Sequence, residues 1–173
     1  MAKVLMVVAE RDFRDEEFKV PNELIRSAGH SVTVASSGPG VAHGRLGMRV
    51  APDVVISAVD PSDYDALVIA GGSGCQTYLW SNKPLLEAVR RVYERGGVVA
   101  AICIAPAVLA RAGIIKGRRC TVFPSPEAIS EMERGGCVLQ REPVVVDGRI
   151  VTADGPAAAK AFGEAIIKLL GQK

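Results

Sequence analysis

Histidine and aromatic residues are scarce in this chain, which has two His, one Trp, three Tyr and four Phe among its 173 residues. No apolar run approaches the roughly 20 residues that a membrane-spanning helix needs. The 21 basic and 19 acidic residues nearly cancel and are scattered, and no internal repeat or low-complexity linker breaks the pattern. These absences argue against a protein that binds nucleic acid or a membrane surface.

The cysteines give no support for a metal centre or a cofactor. The four of them, Cys75, Cys103, Cys120 and Cys137, lack metal-ligand spacing, and two histidines are too few for a typical zinc site. The N-terminal stretch 1–8 is too short for a signal peptide and runs directly into a strand pattern. We therefore expect a cytoplasmic protein whose thiols are free.

The hydrophobic content, 49% of 173 residues, predicts one domain spanning residues 1–173 with a sizeable core. Apolar runs typical of buried strands alternate with amphipathic stretches typical of helices. Strands are predicted at 3–8, 30–36, 65–70 and 98–102, helices at 15–28, 84–95, 105–112, 127–134 and 156–170, and a hairpin around Asp147-Gly148 within 144–153. This alternation predicts an α/β fold, a three-layer sandwich with helices on both faces of a mainly parallel sheet.

One cysteine stands at the corner between a buried strand and a helix. Val98–Ile102 is a continuous run of small or branched apolar residues, Cys103 follows it, and Pro106 lies in the first turn of the next helix. Open α/β folds place their sites at this edge of the sheet, and the sharp corner is the geometry of a nucleophile elbow. The start of the helix favours the thiolate over the thiol. The alternative, a buried structural cysteine, remains open.

A glycine-rich turn is predicted at the same edge of the sheet. Gly71 and Gly72 end the strand at 65–70, so their backbone N–H groups would lie close to Cys103, beside the N–H of Ile104. Together these donors would form an oxyanion hole for a thiol-based reaction. The same turn would equally serve only to end a strand.

A carboxyl group is the candidate acid–base partner of the thiol. On the helix at 15–28, Glu17 shares a face with Val20 and Leu24, which is an unusual place for a carboxyl group. Burial would raise its pKa, and the protonated acid could donate to a thiolate or shuttle a proton. Alternatively, Glu17 lies on a loop before a helix that begins near Pro21.

The remaining cysteines and the two histidines are weaker candidates for catalytic residues. Cys75 directly follows the glycine-rich turn and is a candidate resolving thiol, whereas Cys120 and Cys137 lie in or beside β-type segments, where small inert cysteines are common. His30 opens a strand after a helix end, and His43 lies in a glycine-rich loop, so neither is a strong candidate for a catalytic base.

Several segments of this chain occur together in one known protein superfamily. They are Lys3–Val8, Glu17 with Pro21, Ala28–Val32, Asp65–Gly72, Ala101–Pro106, and Val146–Gly148 before Thr152. In order and spacing they resemble the ThiJ/PfpI superfamily, which includes the Parkinson-linked protein deglycase and the PfpI-type intracellular proteases. The resemblance implies a flavodoxin-like fold of the class I glutamine-amidotransferase type, and assembly as a homodimer or a higher oligomer.

The resemblance also implies roles for individual residues. Cys103 corresponds to an oxidisable, nucleophilic elbow cysteine, and Glu17 corresponds to the acid that hydrogen-bonds it. Gly71, Gly72 and Ile104 correspond to the backbone oxyanion positions of the family.

This chain departs from the family at both of the familiar histidine positions. PfpI-type members carry a histidine directly after the cysteine, where this chain has Ile104. The deglycase branch carries one further along, where Phe123 stands here, and Ala105 replaces the usual glycine before the elbow proline. Without a local base to activate the sulfur or an acid to protonate an amine leaving group, peptidase activity is disfavoured.

By resemblance, the leading functional hypothesis is an enzyme that acts on reactive α-dicarbonyls such as methylglyoxal, free or as adducts on amines and thiols, like a glyoxalase III or a deglycase. The alternative is an oxidative-stress sensor or protective protein whose Cys103 is oxidised to sulfenic or sulfinic acid. A PfpI-type peptidase or other cysteine hydrolase, completed by a neighbouring subunit, is the weaker third hypothesis. Whether Arg45 or Arg49 binds an anion near the site stays open.

Overall fold

Strands and helices alternate along most of the chain in the computed structural model, which describes residues 1–172. The strands are β1 (Lys3–Val8), β2 (Arg11–Phe13), β3 (Ser31–Ser36), β4 (Ala42–Gly44), β5 (Arg49–Val50), β6 (Val54–Val55), β7 (Ala66–Ile69), β8 (Val98–Ile102), β9 (Arg119–Cys120), β10 (Val138–Leu139), β11 (Val144–Asp147) and β12 (Ile150–Ala153). The α-helices are α1 (Asp15–Ser27), α2 (Ser73–Tyr78), α3 (Lys83–Glu94), α4 (Pro106–Ala112), α5 (Pro126–Arg134) and α6 (Ala159–Leu170). None of the helices between residues 1 and 172 combines the length and the apolar character that crossing a bilayer requires.

One sheet contains seven of the strands, in the order β11-β12-β8-β7-β1-β3-β6. Every neighbouring pair is parallel except β11 and β12, which form the predicted hairpin, so the prediction of a mainly parallel sheet is confirmed. β8 lies between β7 and β12, and all five of its residues are buried. Since Ile69 pairs with Ala101 and Ala153 pairs with Ile102, the carboxyl ends of these three strands lie side by side.

Helices cover both faces of this sheet, and alternate residues of the central strands divide between two cores. Leu67 and Val99 share a core with α3 and α4, whereas Val68 and Ala100 share the other core with α1 and α6. Full burial of a side chain such as Leu67 contributes about 1.5 to 3 kcal/mol. A strand that is buried on both faces needs apolar residues at every position, which explains the unbroken apolar runs in the sequence. The predicted three-layer α/β sandwich is therefore confirmed.

Several short elements of the structure are absent from the sequence-based prediction, among them α2 and β2. Gly71–Gly74 resembles a turn because each glycine disfavours a helix by about 1 kcal/mol, yet α2 begins at Ser73. β2 begins at Arg11, where the sequence predicts a loop, and it pairs with β4 in a separate three-stranded sheet. Both elements depend on contacts between segments that are distant in sequence, which no local pattern reports.

The segment after β1 packs directly against the segment after β7. The Arg14 N–H donates to the Gly71 carbonyl at 2.9 Å. A Cβ atom on Gly74 would overlap the Arg11 carbonyl oxygen, so only glycine permits this approach of the two backbones. The contact holds the start of α1 next to the end of β7.

Replacing Gly74 by Ala tests this contact. In an ordinary helix the change gains about 1 kcal/mol, but here the new methyl group collides with the Arg11 carbonyl. We therefore expect the free energy of unfolding, measured by urea denaturation, to fall by about 2 kcal/mol or more. Gly40→Ala is the matched control, because a Cβ atom at Gly40 meets nothing within 4 Å. Equal unfolding midpoints for Gly74→Ala and the wild type would contradict the contact.

Candidate active site

Cys103 lies at the corner between β8 and α4, in a backbone conformation that is rare for a residue with a side chain. Its φ is 64°, and a non-glycine residue in that region stores strain of about 1 to 3 kcal/mol. Its N–H donates to the Ala153 carbonyl at 2.9 Å, and its carbonyl accepts from the Phe123 N–H at 2.8 Å. Neighbouring segments therefore hold the strained corner in place, and its shape is that of a nucleophile elbow.

Two backbone donors point at the Cys103 sulfur. The N–H groups of Gly72 and Ile104 hydrogen-bond to it, and Gly72 has a φ of 109°, a conformation that favours glycine. The Ile104 carbonyl in turn accepts from the Trp80 indole N–H at 3.0 Å, which fixes the orientation of this peptide. The structure thus brings Gly72, Ile104 and Cys103 together as the sequence predicts, while their role in catalysis stays a prediction.

Glu17 lies on the buried face of α1 and is fully inaccessible to solvent. α1 begins at Asp15 and contains Pro21, so Glu17 is part of the helix and not of a preceding loop. On the same side of α1, Phe18 and Ile25 are buried in the core against the sheet. The Glu17 carboxyl group is therefore buried because it lies on the side of α1 that packs against the sheet.

The Glu17 carboxyl group reaches the Cys103 thiol across Gly71. The two side chains lie close enough for each to shift the pKa of the other. A Cβ atom on Gly71 would lie 2.5 Å from the Cys103 Cβ and 2.6 Å from the Glu17 Oε1, so any side chain at this position would separate the pair. The Gly71 N–H lies by the Glu17 carboxyl and not by the sulfur. Gly71 therefore allows the two side chains to approach each other because it has no side chain of its own. Its role as an oxyanion donor stays a prediction.

Burial governs the ionisation of this pair. It raises the pKa of Glu17 to about 8, and neither carboxyl oxygen has a donor in good hydrogen-bond geometry among residues 1–172. Burial and the charge of Glu17 raise the pKa of Cys103 to about 12, although the N–H groups of Gly72 and Ile104 lower it. The sequence predicts a lowered thiol pKa from the helix start, and burial beside a carboxylate reverses that sign.

The two acids therefore titrate as one unit. Two anions in contact in a buried site repel each other strongly, so the pair keeps at least one proton through the neutral range. With that proton on Glu17, the carboxyl O–H can donate to a thiolate sulfur that also receives two backbone N–H groups. The pKa values of about 8 for Glu17 and about 12 for Cys103 place the remaining proton of the singly deprotonated pair on the sulfur. Transfer of this proton from Cys103 to Glu17 then gives the acid–thiolate form.

Cys103 is half-buried and borders a cavity of about 310 Å³. The cavity is lined by Arg14, Arg45, Gly72, Ser73, Gln76, Cys103, Ile104, Phe123, Ser125, Glu127 and Pro156. Of the two arginines considered from the sequence, Arg45 lines this cavity and Arg49 does not. An anionic or strongly polarised ligand would therefore find positive charge beside the sulfur.

Arg14 is the charged cavity residue that the sequence analysis misses. It directly precedes α1, and its side chain donates to Glu16 at 3.1 Å. This hydrogen bond raises the pKa of Arg14, so its guanidinium stays charged at the cavity wall. Arg14 lies three residues before Glu17, and residues three apart share a helix face. This spacing is the feature of the sequence from which its position near Glu17 could have been predicted.

A second cavity of about 550 Å³ adjoins the first, because Gln76 and Glu127 line both. Its other walls are formed by Trp80, Ser81, Arg111, Pro126, Ser130, Glu131 and Arg134. The Arg111 guanidinium donates to both Glu131 oxygens, at 2.7 and 2.9 Å, and lies over the Trp80 ring. The space beside Cys103 thus continues into a polar cavity with ordered walls.

The other candidates from the sequence do not line the Cys103 cavity. Cys75 is fully buried in α2, and burial raises its thiol pKa well above the ordinary value, so its role as a resolving thiol stays a prediction. His30 accepts from the Ala2 N–H at 3.0 Å, and His43 lines a separate small cavity. Between residues 1 and 172, no histidine lines the Cys103 cavity, and no three His, Cys, Asp or Glu side chains are grouped to hold a metal ion.

The chain is similar to known proteins over nearly its whole length. Residues 2–169 match the DJ-1/PfpI family. The sequence is 46% identical to an uncharacterised protein of Methanocaldococcus jannaschii, over 98% of this chain and 82% of that protein. It is 33% identical to a deglycase of Pyrococcus abyssi, over 97% of this chain and 99% of that protein. The crystal structure of a ThiJ/PfpI domain protein from Brachyspira murdochii has 32% identity and a TM-score of 0.93, covering 99% of this chain and 97% of that one.

Replacing Glu17 by Gln tests the ionisation of the buried pair. The unfolded carboxyl ionises near pH 4.5, whereas the folded one keeps its proton up to about pH 8. The folded state binds more protons in this window, so the wild-type free energy of unfolding should fall between these pH values by about 3 to 4 kcal/mol relative to Glu17→Gln. Urea denaturation across the window measures the difference. Glu23→Gln, at an exposed position of the same helix, is the control, and parallel curves for wild type and Glu17→Gln would contradict a protonated buried acid.

Proposed function

The chain belongs to the DJ-1/PfpI family, and on that premise we propose that it is a cysteine-dependent enzyme for reactive α-dicarbonyls such as methylglyoxal, free or as early adducts on amines or thiols. The resemblance to the ThiJ/PfpI superfamily that the sequence predicts is confirmed by the match over residues 2–169. Relatives named deglycase indicate enzyme activity in the family. The observation that carries the proposal is the buried Glu17 carboxyl in contact with the Cys103 sulfur, beside two N–H donors.

The proposed reaction begins with addition of the Cys103 thiolate to the aldehyde carbon. A carbon–sulfur bond forms, the carbonyl π electrons move to oxygen, and the oxyanion takes the proton of Glu17 to give a hemithioacetal. The N–H groups of Gly72 and Ile104 already lie at the sulfur, where they can stabilise the developing charge. An aldehyde carries no leaving group, so this step needs no histidine acid.

Glu17, now a carboxylate, then acts as the base. It removes the proton from the former aldehyde carbon to give an enediolate. The same carboxyl group then returns this proton to the neighbouring carbon, while the hydroxyl proton on the former aldehyde oxygen moves to the neighbouring oxygen. The product is a lactate thioester on Cys103, which water hydrolyses, so that methylglyoxal and water give lactate. An acid whose pKa is about 8 can both give and take a proton at neutral pH.

The space around Cys103 supports adducts as substrates in addition to free methylglyoxal. Methylglyoxal is much smaller than the cavity of about 310 Å³ beside the sulfur. The adjoining cavity of about 550 Å³ has walls of both charges, including Arg111, Glu131 and Arg134. An amine or thiol carrier, such as a peptide side chain, would occupy this second space while the aldehyde carbon lies at Cys103.

Two other hypotheses fit the site less well. A peptidase needs an acid for the amine leaving group, and Phe123 rather than a histidine stands at the cavity wall. A sensor that works through Cys103 needs an easily ionised thiol, whereas burial and Glu17 raise its pKa. Oxidation of Cys103 as the main function stays a prediction, and so does assembly into a homodimer or a larger oligomer.

Lactate formation from methylglyoxal tests the proposed reaction. Cys103→Ala removes the nucleophile, so we expect lactate only at the background rate. Glu17→Gln keeps a hydrogen-bond donor near the sulfur but cannot exchange a proton, so kcat should fall about 100-fold or more. Alkylation of Cys103 by iodoacetamide should change far less in this variant. Glu23→Gln, which alters an exposed carboxyl of the same helix, should match the wild type.

The pH profile gives the same experiment a second readout. Because the reactive form is the singly deprotonated pair, wild-type kcat/KM should rise with pH up to about 8, where the pair loses its first proton. If the wild type itself forms lactate only at the background rate, the proposed reaction is ruled out. Full kcat in Glu17→Gln would instead limit Glu17 to a positioning role.

A bulky residue in the second cavity distinguishes adducts from free aldehyde. Ser130 lines that cavity and not the one at Cys103. In Ser130→Trp we expect kcat/KM for a methylglyoxal adduct on a peptide amine to fall about tenfold, equivalent to about 1.4 kcal/mol. The value for free methylglyoxal should stay unchanged. Chromatography of the peptide measures adduct loss, Ser27→Trp on the exposed end of α1 is the control, and an equal loss for both substrates would exclude the second cavity as the carrier site.

A further inference from the structure

The Ile104 backbone is held by hydrogen bonds on both of its sides. Before it, the Cys103 carbonyl accepts from the Phe123 N–H at 2.8 Å. After it, the Ile104 carbonyl accepts from the Trp80 indole N–H at 3.0 Å and from the Ala107 N–H at 3.3 Å. Because each peptide group is planar, only the φ and ψ angles of Ile104 separate the two held carbonyls. The direction of the Ile104 N–H is therefore fixed from both sides.

The Ile104 N–H is the donor that a nucleophile elbow places beside its nucleophile. In such a corner the N–H of the residue after the nucleophile donates to the developing oxyanion, and Ile104 directly follows Cys103. Cys103 itself is strained, with a φ of 64°. A strained conformation persists only where the surrounding structure holds it. The hydrogen bonds on either side of Ile104 therefore help to keep this donor in place.

Trp80 is itself firmly held. It is 3% exposed, and its backbone N–H donates to the Cys75 carbonyl at 3.0 Å. The Arg111 guanidinium lies 5.4 Å from the centroid of the Trp80 ring. Arg111 is fixed in turn, because it donates to both Glu131 oxygens and to the Ser81 hydroxyl at 2.7 Å. A buried indole beneath a fixed guanidinium has little freedom to rotate, so it presents its N–H to Ile104 in one direction.

The short helix α2 connects both candidate oxyanion donors. Gly72 directly precedes α2, and Trp80 lies two residues after its end at Tyr78. The Cys75 N–H donates to the Gly72 carbonyl at 3.0 Å, while the Cys75 carbonyl accepts from the Trp80 N–H. One segment therefore supplies the first donor, Gly72, and holds the second, Ile104, through its far end.

We propose that Trp80 is a positioning residue of the Cys103 site, whose indole N–H keeps the Ile104 N–H directed at the oxygen that becomes negative in the reaction. This role rests on the proposed function, because such an oxyanion forms only when a carbonyl substrate adds to the sulfur. Trp80 lines the second cavity and not the one beside Cys103. It therefore acts on the aldehyde carbon through Ile104.

A purely structural role for the indole N–H has different consequences. A buried indole N–H needs an acceptor wherever it lies, so its loss could lower stability without changing the chemistry. In the positioning role its loss slows the chemical step, because a misdirected donor stabilises the oxyanion less. KM should change little, since the affected hydrogen bond is made in the transition state and not in substrate binding.

Replacing the indole by a ring of the same shape without an N–H tests the proposal. 3-Benzothienylalanine, introduced at position 80 by nonsense suppression, has a sulfur atom where Trp80 has its N–H. We expect kcat for lactate formation from methylglyoxal to fall about tenfold, less than the about 100-fold that follows complete loss of an oxyanion donor. KM should stay within about twofold of the wild-type value. Trp80→Phe, which also lacks the donor, should lower kcat at least as much.

Alkylation of Cys103 is a second readout that needs no turnover. A misdirected Ile104 N–H leaves the thiolate less stabilised, so iodoacetamide should modify Cys103 about threefold more slowly at neutral pH in the benzothienylalanine variant. The reaction is followed on tryptic peptide 96–111, whose one cysteine is Cys103. If the wild type forms lactate only at the background rate, the proposed function fails, and the alkylation rate decides whether Trp80 positions Ile104.

Tyr93→Phe is the matched control. It removes a ring hydroxyl that accepts from the Arg118 guanidinium at 3.0 Å, on α3, and Tyr93 does not line the Cys103 cavity. This variant should keep the wild-type kcat and alkylation rate. Circular dichroism and urea denaturation show that each variant is folded.

Two results would overturn the proposal. One is a folded benzothienylalanine variant with the wild-type kcat and the wild-type alkylation rate, which would limit the indole N–H to satisfying its own hydrogen bond. The other is a raised KM with an unchanged kcat, because Trp80 would then act on substrate binding and not on the direction of the Ile104 N–H.

Discussion

Contact between the Glu17 carboxyl and the Cys103 sulfur is the interaction on which the rest of the site depends. An ionised carboxyl without partners costs several kcal/mol in a buried position, so the group stays protonated through most of the neutral range. The contact exists only because Gly71 has no side chain. Cys103 also occupies a strained backbone conformation. Strain and a buried acid at one point are typical of functional sites, because a structural role would require neither.

The fold produces this contact through two separate constraints. The parallel register places the ends of β7, β8 and β12 at one edge, so Cys103 leaves the sheet beside Gly71. The backbone contact after β1 then brings α1 to the same edge, because the Arg14 N–H bonds to the Gly71 carbonyl. Arg14, which directly precedes α1, and Glu17, in the first turn of α1, are therefore brought to the site together. A change in either constraint would separate the acid from the sulfur while leaving the core intact.

The parts of this protein that the sequence predicts are those with a local pattern. The strands at 3–8 and 98–102 match their observed bounds, because burial on both faces leaves unbroken apolar runs. Glu17 is detectable as one carboxyl on an apolar helix face. By contrast, the sequence predicts neither α2 nor the pairing of β9 with β10. A glycine-rich helix start resembles a turn, and strands of two residues leave no periodic signal.

The ionisation of Cys103 shows why a local argument about charge can have the wrong sign. The helix start and two N–H donors lower its pKa, but burial and Glu17 outweigh them. In the proposed mechanism the sulfur therefore reacts together with Glu17, when a bound aldehyde accepts both electrons and a proton.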